Sequence, residues 1–167
     1  MNSNMKINHL KRVILLVLIL IMNSLHAFSQ SFAIDLGGQE ISLLNANRSL
    51  ITNTGSNGLS AGSKWRYDNL ITSGGITVYG ILTIKDTNNA TLRHGYLDDE
   101  SAGVGSPNRF QPQISVTQAG GYVLFELEFF ELFTNSNVYI SDYYLTGVDI
   151  DGSEFYEIGG YSSYIVD

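Results

Sequence analysis

Cysteine is absent from the chain. Its absence excludes disulfides, thiol catalysis and every cysteine-based zinc site. Proline is almost absent, with Pro107 and Pro112 the only two, and no proline-rich or serine-rich linker divides the sequence. Histidine is scarce: past residue 30 the chain has His94 alone. Zinc hydrolase sites use two or three histidines, and a Ser-His-Asp triad would have to rest on this one residue. In the string TLRHGY it reads as a polar residue at a strand end. Basic residues are also few, nine against sixteen acidic ones.

Three of those nine lie in the first thirty residues. Lys6, Lys11 and Arg12 form a positive segment ahead of the unbroken apolar run Val13–Met22. Ala27 and Ser29 then stand as small residues at −3 and −1 of a cleavage site before Gln30, the pattern of a secretory signal peptide. The rival reading is an uncleaved membrane anchor, which is disfavoured because a helix of ten residues rises about 15 Å, roughly half a hydrocarbon core. The expected organisation is a cleaved leader over 1–29 and a single domain over 30–167, secreted, cell-surface or periplasmic, with no membrane insertion after cleavage. With six basic and sixteen acidic residues, the mature chain carries a net charge of −10. Such a field repels nucleic acid and anionic membrane and favours cations or neutral ligands.

What is present is period-two alternation. Ile76, Val78, Gly80, Leu82 and Ile84 share one parity, with Thr77, Tyr79, Ile81 and Thr83 on the other. Gly74-Gly75 opens this run and Asp86–Asn89 (DTNN) closes it with turn chemistry. From Gly121 to Phe133, Val123, Phe125, Leu127, Phe129 and Phe133 oppose Tyr122, Glu126 and Glu128. Asn135–Asn137 predicts a hairpin turn into the next run, Val138–Ile150, whose inward set includes Asp142. Shorter candidate strands are Phe32–Leu36, Ile41–Leu44, Ser49–Thr52, Trp65–Ile71, Ala90–Arg93, Phe110–Thr117, Glu154–Ile158 and Tyr164–Val166. Eight to ten short strands with Gly- and Asn-rich turns predict an all-β fold, an antiparallel β-sandwich of jelly-roll type.

Three groups of residues could carry chemistry. FELEFFE sets Glu126 and Glu128 two apart on one strand, with Glu131 three further on. Two strand residues span roughly 6.5–7 Å, so Glu126 and Glu128 project from one face at a spacing that inverting glycosidases use. The string resembles the Glu-x-Asp-x-(x)-Glu active-site strand of family-16 β-glucanases, which implies a small carbohydrate-active enzyme. The rival reading makes both glutamates the solvent face of an amphipathic strand. Asp149, Asp151 and Glu154 surround Gly152 in VDIDGSE, and Asp98 and Asp99 lie in the acidic loop DDESAGVGSPN. Calcium takes six to eight oxygen ligands, and the two loops together could supply a Ca²⁺ site. Without that convergence, Asp151-Gly152 is a hairpin turn. Trp65 and Tyr67 share a strand parity and form a candidate aromatic platform for a glycan.

The succession GGITVYGILTIKDTNNATL, LDDESAG, RFQPQISV, GGYVLFELEFFE and VDIDGSEFYEIGGY, running from about Gly74 to Tyr161, is similar to β-sandwich modules of exported, adhesin-like surface proteins of Bacteroidota-type bacteria. The resemblance implies a non-enzymatic extracellular role, with a glycan or a protein surface as partner. A third class of function, a structural subunit assembling by strand addition, fits the same strand-rich texture.

Overall fold

The computed structural model describes residues 32–44, 47–92, 97–98, 109–141, 157 and 159–160. The expected leader and the candidate strands after residue 141 lie outside the described residues. Eight strands appear among the described residues: β1 (Phe32–Asp35), β2 (Arg48–Thr52), β3 (Lys64–Ser73), β4 (Ile76–Asn88), β5 (Ala90–Leu92), β6 (Ile114–Val116), β7 (Tyr122–Glu131) and β8 (Asn137–Ser141). No α-helix occurs among the described residues. The all-β expectation therefore holds.

Six strands form one sheet in the order β1-β8-β7-β4-β3-β2, and β5 pairs with β6 in a second, two-stranded sheet. The large sheet is mixed, not wholly antiparallel as expected, because β1 runs parallel to β8. The pattern of side chains could not reveal this: alternation fixes which face a residue occupies and is blind to strand direction. Ile41–Leu44 is not a strand, although Ile41 and Leu43 still pack against the core.

Local chemistry explains the connections. Gly74 and Gly75 both take positive φ (58° and 82°), which the two-residue link between Ser73 and Ile76 requires. β4 does not end at DTNN; it continues to Asn88, paired with Tyr122, after a register shift past Ile84. Asn89, at φ 46°, then turns the chain into β5. Asn135, at φ 57°, sits in the β7–β8 turn, where Glu131 N donates to Ser136 O and Asn135 N to Glu131 O. Phe133, expected on the inward parity, lies beyond the end of β7 in this turn and is 80% exposed.

The inner face of the large sheet holds the core. Tyr67, Leu70, Leu82, Ile84, Leu92 and Leu97 form one cluster, with Val123, Phe125, Leu127 and Phe129 packed against it. Ile34, Leu36, Ile71, Val78 and Val138 form a second. The parity read from β4 and β7 is thus the parity observed.

Candidate functional site

The glutamates come first. In register, β7 sets Glu126 opposite Thr83 and Glu128 opposite Ile81, both on the outer face and both exposed. Glu131 pairs opposite Val78, which belongs to the core, so it takes the inner parity and lies 7% exposed. The three carboxylates do not share a face. Glu126 accepts a hydrogen bond from Lys85 Nζ at 2.9 Å, and this bond and charge hold the lysine above its ordinary pKa. Glu131 accepts from the backbone N–H groups of Phe133 and Thr134 and closes the β7–β8 turn. Bonding to Thr134 and Phe133 holds its pKa below the usual carboxylate value, against the opposing effect of burial. Glu131 is a turn fastener.

Of the calcium candidates, Asp98 is described; Asp99, Asp149, Asp151 and Glu154 lie outside the described residues, as does Asp142. Asp98 is 1% exposed, and its Oδ1 accepts from Gln111 N at 2.8 Å. No group of three or more His, Asp or Glu side chains fit to hold a metal occurs among the described residues.

Trp65 and Tyr67 do share a face, but it is the inner one: Trp65 pairs opposite Leu82 and Tyr67 opposite Gly80. Tyr67 is 0% exposed, which corrects its assignment to a surface platform. Trp65 is half-buried, donating Nε1–H to Gly58 O at 2.8 Å with the Arg48 guanidinium 4.8 Å from its ring centroid. Its partners are internal, so the pair is part of the framework.

Gly58-Leu59-Ser60-Ala61-Gly62 has the Gly-x-Ser-x-Gly spacing of a nucleophile elbow, a turn from strand to helix. Here it lies in the loop from β2 to β3, and no helix follows. Ser63 N donates to Ser60 O, and the Thr54 hydroxyl also reaches that carbonyl. The motif builds a loop, and His94, the histidine a triad would need, lies outside the described residues.

A different surface gathers aromatic rings. On the outer face, Arg66 of β3 sits with Cζ 3.7 Å from the Tyr79 ring centroid and pairs with Asp68 at 2.7 Å. Tyr79 of β4 stacks on Phe130 of β7, centroids 5.3 Å apart and planes within 19°. The Tyr79 hydroxyl donates to Asn135 Oδ1 at 3.0 Å. On β8, Asn137 pairs opposite Phe130, and Tyr139, two residues along on the same face, is 63% exposed. Stacking with a cation on one side and a ring on the other fixes Tyr79, itself 5% exposed, and orients Phe130.

Comparison with known proteins returns no match: no family model, no curated protein and no solved structure aligns with the chain. The functional reading therefore rests on the geometry.

The strip was legible in outline. Tyr79 opposes the core parity of β4, and Phe130 breaks the alternation of β7 by following Phe129. An aromatic placed on the polar parity of each of two strands is the signal that points to this face.

Proposed function

We propose that the chain is an exported, non-catalytic binding module whose outer sheet face engages a neutral extracellular ligand, a glycan. One observation carries this reading: the Arg66–Tyr79–Phe130 stack leads across three adjacent strands toward the exposed Tyr139 ring, flanked by Asn135, Asn137 and Glu128. Flat rings with amide and carboxylate neighbours match the apolar faces and hydroxyls of a sugar. The mature charge of −10 favours a neutral chain over an anionic one. The likeness of segment order to adhesin-like surface modules supports the same class of role.

The architecture we assign is a β-sandwich of jelly-roll type. A six-stranded sheet whose inner face carries fully buried Tyr67, Val78 and Ile84 needs a second layer over it. β5, Leu97, Phe110, Ile41, Leu43 and Leu59 supply part of that layer.

The test is binding of the mature chain to a panel of neutral and acidic polysaccharides by affinity electrophoresis and calorimetry. Tyr139→Ala should weaken binding to a neutral polysaccharide at least tenfold while leaving the unfolding midpoint unchanged. Binding that survives in both Tyr139→Ala and Phe130→Ala would overturn the assignment of this face. A calcium contribution is the second reading, favoured by the buried carboxylate of Asp98 beside Asp99 in the sequence. Bound at 100 times its dissociation constant, Ca²⁺ would add about 2.7 kcal/mol, several degrees in the thermal midpoint. Equal midpoints with calcium and with chelator would remove it.

A further inference from the structure

We propose that β1 is an exchangeable strand: it can leave its own sheet and seat on β8 of a second copy, in the register it takes on its own chain. β1 is four residues long, lies at a sheet edge and has one neighbour, β8. That pairing is the one parallel contact among the described strands, and parallel pairing is slightly weaker per residue. As the first described strand of the chain, it can depart without pulling any other described strand through the fold.

The seat it would vacate is specific. Ile34 of β1 and Leu36, just past its end, are each 4% exposed and belong to the second core cluster. Removing β1 would bare Ile71, Val78 and Val138, now 6%, 0% and 4% exposed. That groove calls for an extended segment with apolar side chains two residues apart. β1 is such a segment, and its fit is known to the residue: Phe32 opposite Val138, Ala33 opposite Tyr139, Ile34 opposite Ile140, Asp35 opposite Ser141. Two side-chain bonds read only the β1 backbone, Ser141 Oγ to Ile34 O at 3.1 Å and Ser73 Oγ to Asp35 O at 3.0 Å. The β1 of another copy satisfies them equally.

A hinge stands at the right place. Residues 37–40 are exposed, and Gly37 and Gly38 turn the chain at φ 54° and 80° with open space around both. Two hydrogen bonds hold the turn, Gly37 N to Asp35 Oδ1 at 2.8 Å and Gln39 N to Leu36 O at 2.9 Å. Immediately beyond, Ser42 N bonds Leu70 O, and Ile41 and Leu43 are anchored against the core. Straightening four exposed residues therefore frees β1 and leaves the rest in place, which is the requirement for domain swapping. β2, at the opposite edge, is a poorer candidate: described strands both precede and follow it, and its register shifts between Leu50 and Thr52.

The test exploits the absence of cysteine. Chains carrying Ala33→Cys and chains carrying Tyr139→Cys are co-refolded at high concentration in 0.5 M salt, which screens the repulsion between acidic copies, and then oxidised with diamide. Ala33 and Tyr139 are exposed, so both substitutions should be tolerated. Exchange yields a disulfide-linked 33–139 dimer, at least tenfold more abundant than a dimer from the off-register mixture of Asp35→Cys and Tyr139→Cys. Two residues of strand displace that control by roughly 6.5 Å, beyond disulfide reach. Gly37→Pro, which cannot take a positive φ and removes the Gly37 N–H, should raise the dimer fraction in size-exclusion chromatography. The proposal is overturned if the 33–139 mixture gives no more dimer than the control. It is equally overturned if folded Gly37→Pro stays monomeric at concentrations where the parent chain is monomeric.

Discussion

Gly80 and Leu70 form a lock whose strength can be worked out atom by atom. Between the pairs Tyr67–Gly80 and Ile71–Val78, β3 has three residues where β4 has Tyr79 alone. Asn69 absorbs the excess at φ 54°, and Leu70 is thrown inward, 1% exposed, over the bare backbone of Gly80. A Cβ at position 80 would stand 2.5 Å from Leu70 Cδ1 and 3.0 Å from Leu127 Cδ1. Carbon atoms sit comfortably at about 3.5–4.0 Å, so the leucine tip would have to retreat by about 1 Å. It has no free direction, because Tyr67, Leu82 and Leu127 surround it in the same cluster.

Overpacking of this kind costs about 1–3 kcal/mol. Replacing glycine by alanine recovers roughly 0.4–1 kcal/mol through the unfolded chain. Gly80→Ala should therefore destabilise by about 1–2 kcal/mol, and Leu70→Ala, which leaves a cavity, by about 2–5 kcal/mol. In the double variant the clash disappears and the new methyl enters the vacated space. Its cost should fall below the sum of the single costs by about 1–3 kcal/mol, a coupling reserved for groups in contact. Urea unfolding, followed by the fluorescence of the sole tryptophan, Trp65, measures all three. A neutral Gly80→Ala, or a double variant that is simply additive, would refute the packing.

Other perturbations read other parts of the fold. Gly121→Ala would set a Cβ 2.6 Å from the Asn89 carbonyl oxygen, which already accepts from Thr117 N and Oγ1 and has no flexible tip to move. We expect a loss of about 1–3 kcal/mol in urea unfolding, with early proteolysis at the β5–β6 pair. The folded-state pKa of Glu131 lies below its ordinary 4.5, so its stabilising effect is complete above that pH and fades as pH falls through the folded value. Glu131→Gln should accordingly flatten the decline of stability on acidification below about pH 4.5, visible in midpoints taken between pH 3 and 7; an unchanged slope would remove its fastening role. Glu126→Gln with Glu128→Gln should leave the unfolding midpoint unaltered, and a loss of any polysaccharide cleavage would favour the enzyme reading.

Much of the fold could be read from alternation because one face of the large sheet is mainly apolar and buried, while the other carries polar residues together with the buried Tyr79 and Thr83. Val78, Leu82 and Ile84 on β4, and Val123, Phe125, Leu127 and Phe129 on β7, keep the inner parity that their sequence spacing predicts. Three features were not legible. The parallel direction of β1 leaves no mark on side-chain alternation. The irregularity of β3 depends on Asn69 adopting positive φ within what reads as an ordinary polar position. Tyr67 looks amphipathic in sequence, and its complete burial follows from Leu70 and Leu92 closing around it. At the candidate site the same limit applied in reverse. Tyr79 was assigned correctly to the outer parity, but a single strand cannot show that Phe130 and Arg66 would stand on either side of it.

Alternation also governs what the carboxylates of β7 can do. A period of two puts Glu126 and Glu128 on one face and Glu131 on the other unless a bulge intervenes between residues 128 and 131. None does: pairing with β4 runs unbroken from Val78–Glu131 to Ile84–Phe125, and the register shift comes only beyond it. An active-site strand with the spacing Glu-x-Glu-x-x-Glu needs its third carboxylate on the substrate side, and here that group is turned inward and bound to Phe133 and Thr134. Glu126 and Glu128 both stand exposed on the outer face, and Glu126 is paired with Lys85. On the same outer face the Tyr79–Phe130 stack and the exposed Tyr139 ring are the features that the proposed ligand would meet.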